Sequence, residues 1–146
     1  VPLLRPLLWG LFPQRTPAQP EPGTIGEELD MERNLHVYTP EELTEIEKVL
    51  TELLTHIHRH DPGPFPMCIR YCSIIKKNIE ICRAEGWSDR DVLSEYIHDN
   101  WRCAMDLHAG LPDYYIANSD YNTQCCLNEP ITRYITMLNT LIEKST

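Results

Sequence analysis

The chain has 146 residues, a formal net charge of −9 and a hydrophobic fraction of 42%. That length supports one domain with its own core, and the hydrophobic fraction is too high for a disordered chain. The acidic balance excludes a phosphate-backbone partner, which needs a basic stripe, and an anionic membrane surface. No apolar run approaches the ~20 residues of a membrane span.

In chain order, residues 1–38 are expected to form an extended arm. Pro2, Pro6, Pro13, Pro17, Pro20 and Pro22 block helix and central strand alike, and Glu27, Glu28, Asp30 and Glu32 make its second part acidic. The chain begins at Val1 rather than Met, which suggests that a preceding segment was removed. Residues 1–12 then read either as the end of a targeting segment or as an apolar docking arm. Arg5 and two prolines argue against a secretory hydrophobic core. Trp9 and Phe12 at this apolar tip are candidate partner-binding residues.

Residues 39–146 are expected to form a helical, disulfide-containing domain. Thr39-Pro40-Glu41-Glu42 combines an N-cap, a first-turn proline and a capping-box glutamate, so a helix should run from Pro40 to His60. Leu43, Ile46, Val49, Leu50, Leu53, Leu54 and Ile57 give it an apolar face. A second helix is expected from Pro66 to Ala84, stopped by Gly86. A third follows a Ser88 cap, with Val92, Leu93, Tyr96, Cys103, Ala104 and Leu107 inward. A polar loop is expected from Pro112 to Leu127, and a fourth helix from Pro130 with Asn128 as its cap. Ile131, Ile135, Leu138, Leu141 and Ile142 would face the core. Four amphipathic helices imply an all-α, four-helix bundle-like domain.

Six cysteines, an even number, point to disulfides and an oxidising compartment. Cys68, Cys72 and Cys82 share one stripe of the second helix with Ile75 and Ile79. They point the same way, so they cannot pair among themselves. Their partners would have to come from Cys103 and the adjacent Cys125 and Cys126. Two pairings survive. In the first, which is preferred, Cys68 and Cys72 bond Cys125 and Cys126, and Cys82 and Cys103 are bonded to each other or left as thiols. In the second, Cys103 takes Cys72 or Cys68, one of the adjacent pair takes the other, and two thiols remain. Each closed loop would add about 3–4 kcal/mol in the chain-entropy picture.

His56, His58 and His60 place two imidazoles four residues apart, as a metal clamp needs, but no further donors complete a ligand set. No metal and no cofactor is therefore assigned. The string His98-Asp99-Asn100-Trp101-Arg102 resembles that of the secreted phospholipase A2 family, where a helical His-Asp pair polarises water and helps hold calcium. No Gly-rich calcium loop lies upstream, and both residues fall off the expected inner stripe. Cys72 and Cys82, nine residues between them, resemble half of the helical hairpin of mitochondrial intermembrane-space proteins. The second copy of that spacing is absent. Tyr114, Tyr115 and Tyr121 cluster in the expected loop, a composition that favours protein recognition.

These observations lead to a non-enzymatic, secreted, disulfide-stapled helical protein that acts through protein–protein binding, as a ligand or a binding module. One alternative is a structural subunit of a larger assembly, with the mitochondrial intermembrane space as its compartment. The other is a small hydrolase using the His98-Asp99 pair.

Overall fold

Thr39 opens the first helix in the way its neighbours dictate. In the computed structural model, which describes residues 35–106 and 110–143, α1 spans Pro40–His60. The Thr39 hydroxyl accepts from the Glu42 N–H at 3.1 Å, and the Glu42 carboxylate accepts from the Thr39 N–H at 2.9 Å. Two of the unpaired donors at the helix start are thereby satisfied. Leu43, Ile46, Val49, Leu50, Leu53 and Ile57 are buried along one face.

Helix α2 (Met67–Ala84) follows, and the expected cysteine stripe is its inner face: Cys68, Cys72, Ile75, Ile79 and Cys82 are all buried. Gly86 ends it with a positive φ of 76°, which glycine adopts without a Cβ penalty. The Trp87 N–H donates to the Cys82 carbonyl at 2.8 Å and closes the turn. Helix α3 (Arg90–Asp106), a short 3-10 turn (Leu111–Asp113) and α4 (Tyr121–Ile142) complete the described elements, among which there is no β-strand.

Helix α1 packs on α2 and on α4, α2 packs on α3, and α3 touches α4 more lightly. The four helices therefore stand at the corners of a bundle, with α2 and α4 on a diagonal. The guanidinium of Arg83 pairs with the Glu47 carboxylate across the α1–α2 seam.

Several expectations are corrected. The inner face of α3 consists of Leu93, Ser94, Ile97, His98, Trp101 and Ala104, whereas Val92 is exposed and Tyr96 and Cys103 are half-buried. The stripe is turned because Tyr38, the last residue but one before α1, is fully buried against it and supplies a polar partner for Ser94 and His98. Hence His98 is inside rather than on the surface, and the described end of the expected arm, residues 35–38, is packed on the helical body. The fourth helix begins at Tyr121, not Pro130. Asp120 caps it by accepting from the Thr123 N–H at 2.9 Å, and Pro130 lies within it.

The stapling is corrected as well: all six cysteines are thiols. Cys125 and Cys126 are exposed on α4, while Cys68 and Cys72 are buried on α2 across the bundle diagonal. Helical geometry on α4 turns the adjacent pair outward, so neither surviving pairing is formed.

Candidate functional site

From Tyr114 to Ile116 the side chains alternate between the body and solvent, and residues 117–120 are exposed. Tyr114 is half-buried, Tyr115 is 59% exposed and Ile116 is buried. The inward pair is anchored. The Tyr114 hydroxyl donates to the Asp61 carboxylate at 2.6 Å. The Ile116 N–H donates to the Asn128 side-chain oxygen at 2.7 Å, and the Asn128 amide donates back to the Ile116 carbonyl at 2.8 Å. This reciprocal amide pair fixes the strand-like segment to α4 without a partner strand.

Further on, the Asn118 N–H donates to Gln124 at 2.9 Å, and the Asp120 N–H donates to Asn118 at 2.8 Å. Bonds from the Thr123 hydroxyl and N–H hold the Asp120 carboxyl below the usual carboxylate range. Tyr121, the first residue of α4, is 75% exposed, and the Cys125 thiol one turn on raises the pKa of its hydroxyl. The surface thus presents Tyr115, Tyr121, Cys125 and Cys126 from a backbone held by several local hydrogen bonds. Aromatic side chains on such a pre-ordered backbone give contact area with little further loss of conformational freedom.

The chain matches no family model, no curated protein and no solved structure.

Of the expected partner-binding residues, Tyr115 and Tyr121 are exposed and near one another in sequence, and Tyr114 is half-buried and bonded to Asp61. Trp9 and Phe12 lie outside the described residues. Of the cysteines, burial pushes the Cys68 and Cys72 thiols upward in pKa, Cys72 far upward. The Cys82 thiol donates to the Ser88 carbonyl at 3.3 Å. The exposure of Cys125 and Cys126 was not foreseen; the signal that could have found it is Asp120-x-x-Thr123, a helix start ten residues ahead of Pro130.

The histidine run is dispersed. His56 donates to the Leu127 carbonyl at 2.7 Å, His58 meets the edge of Phe65, and His60 lies beside the His56 ring. Among the described residues, no three His, Cys, Asp or Glu side chains converge as metal ligands.

Among the described residues, His98 is buried, as are Asn78 and Ser94; its exposure is 5%. The Tyr38 hydroxyl donates to the Ile142 carbonyl, so its oxygen is left to accept from His98 Nε2 at 3.1 Å. Nε2 also points at the His36 carbonyl, 3.4 Å away. These contacts suit the neutral tautomer with its proton on Nε2. Burial lowers the His98 pKa from 6.5; the His36 carbonyl, Glu143 and Asp99 oppose the shift, and Arg102 adds to it.

A lowered imidazole pKa means the folded state prefers the neutral ring. Its contribution is fully present above pH 6.5 and is lost as pH falls through that value towards the lower folded one. The expected result is a melting temperature that declines below about pH 6.5, with His98→Gln reducing the slope. An identical slope in the variant would remove His98 as the cause.

Proposed function

We propose that this chain is a non-enzymatic helical protein that works by protein–protein binding, as a secreted ligand or binding module, through the surface bearing Tyr115 and Tyr121. The observation that carries this reading is two exposed tyrosines on a backbone fixed by Asn128, Gln124, Asp61 and the Asp120 cap. Tyrosine is enriched at interface centres, and a fixed backbone lowers the ordering cost of binding. The extracellular placement rests on the acidic composition; with all six cysteines as thiols, cysteine number lends it nothing.

A second reading, a structural subunit of a larger assembly, is favoured by the outer face of α4. From Tyr121 to Ile142, Glu129 and Arg133 are the only charged residues, and they pair with each other at 3.7 Å. Charge-poor helix faces are characteristic of surfaces that become buried. The mitochondrial intermembrane space is the compartment that goes with this reading. The hydrolase reading draws no support from His98, whose ring lies in the interior against Tyr38.

The test is site-directed photo-crosslinking in material from the natural source. A photoreactive side chain at position 115 or 121 should capture one and the same protein, and a probe at Lys48 on α1 should not. Tyr115→Ala with Tyr121→Ala should then weaken that complex by about tenfold or more at an unchanged melting temperature. Equal capture at all three positions, or undiminished affinity, would remove this face from the function.

A further inference from the structure

We infer that Cys125 and Cys126 are a cross-linking site for a second copy of this chain, docked antiparallel along α4 about a twofold axis. The inference deepens the reading of this surface as an interface and names the partner its thiols fit.

The thiols of α2 are enclosed. Cys68, Cys72 and Cys82 are buried on α2, and Cys103 is half-buried on α3. Cys125 and Cys126 are exposed in the second turn of α4. They cannot bond each other there. Adjacent Cα atoms are about 3.8 Å apart, below the range of about 4.4–6.8 Å that a disulfide spans, and successive helical side chains diverge by about 100°. The buried thiols of α2 stand across the bundle diagonal, and Cys103 on the neighbouring α3 is likewise an unbridged thiol. A disulfide at either residue therefore leaves the chain.

An adjacent pair is self-complementary across a twofold axis, where residue i meets j and j meets i. Two antiparallel α4 helices with Cys125 of one copy opposite Cys126 of the other bring both thiols of each copy to the axis. The same register sets Tyr121 against Pro130 of the second copy, and Asn122 against its Glu129. No like charges meet. On a chain of net charge −9 this is decisive: α1 carries Glu41, Glu42, Glu45, Glu47 and Glu52, and two such faces would repel. The outer face of α4 has a net charge of zero.

The covalent step balances with a low-molecular-weight disulfide such as glutathione disulfide as oxidant. The Cys125 thiolate attacks one sulfur; the S–S bond breaks, and a glutathione thiolate leaves. The Cys126 thiolate of the second copy then attacks the Cys125 sulfur and expels the second glutathione thiolate. Two protein thiols become one disulfide, one oxidant molecule becomes two thiols, and the two protons pass to the leaving groups.

The experiment treats the full chain, native, with glutathione disulfide and reads non-reducing gels and peptide mass spectra. A reducible dimer with a Cys125–Cys126 interchain peptide is expected. Cys125→Ser with Cys126→Ser should abolish it, and Cys103→Ser should leave it intact. Asn122→Glu, which sets Glu against Glu129 of the second copy, should slow dimer formation by about fivefold at low salt, and Asn122→Gln should not. Mixed disulfides without dimer, a bridge to Cys68 or Cys72, a dimer through Cys103, or indifference to Asn122→Glu would each overturn the inference. A chain that stays monomeric yet holds another protein through Tyr115 overturns it and leaves the proposed function standing.

Discussion

Trp101→Ala is expected to lower unfolding free energy by about 3–5 kcal/mol, against a total of about 5–15 kcal/mol for a domain of this kind. The indole is fully buried, and its Nε1–H donates to the Asn139 side-chain oxygen at 2.8 Å. That bond joins α3 to α4, the two neighbouring helices with the slightest direct packing. Truncation removes the apolar contacts, leaves a cavity and takes away Asn139's donor. Trp101→Phe separates these effects, because it keeps most of the bulk and loses only the donor. Urea denaturation measures both. A loss below about 1 kcal/mol for alanine would mean that α3 and α4 are held by something other than this contact.

Tyr38→Ala is expected to be of similar size, about 3–5 kcal/mol, for a different reason. Tyr38 is fully buried, its N–H donates to the Ser94 hydroxyl at 3.0 Å, and its carbonyl accepts from Arg90 at 2.8 Å. Its hydroxyl reaches Ile142 and His98, and its ring stacks on His98 with centroids 5.2 Å apart. One residue outside the helices thus ties α3 to the C-terminal end of α4. Burial, with Glu143 and Glu42 nearby, drives the phenol pKa far upward, so the hydroxyl stays a donor across the physiological range. Tyr38→Phe keeps the ring and strands the two polar partners, for an expected cost of about 1–3 kcal/mol. If phenylalanine were as stable as tyrosine in the same urea titration, the hydroxyl network would be incidental to stability.

Local chemistry made α1 and α2 legible. Thr39, Pro40 and Glu42 act within one turn of each other, and Gly86 acts at its own residue, so no distant partner was needed to place those boundaries. The inner stripe of α2 followed from the spacing of Cys68, Cys72, Ile75, Ile79 and Cys82 alone. What escaped depended on contacts far along the chain. The face of α3 is decided by Tyr38, which lies more than fifty residues from the Ser94 and His98 it bonds. The start of α4 was displaced because Pro130 matches the first position of a helix as well as a tolerated interior one, and Asn128 resembles a cap. Asn128 instead pairs with the Ile116 backbone. The thiols follow the same boundary: as loop residues Cys125 and Cys126 could fold onto α2, and as residues of α4 they are held outward.

Pro130 also divides α4 into halves of unequal security. It has no N–H, so the Cys126 carbonyl one turn earlier loses its helical donor, and the pyrrolidine ring crowds that carbonyl. His56 donates to the next carbonyl, that of Leu127, on the side facing α1. The buried residues of α4, Ile131, Ile135, Leu138 and Ile142, all follow the proline, while Tyr121, Cys125 and Cys126 precede it. The amides of residues 121–129 should accordingly exchange with deuterium by partial opening, at a free energy well below that of the amides after Ile131. The second half of α4 is thus the anchor in the bundle, and the first half, with Tyr121 and both thiols, is the part of the helix that yields first.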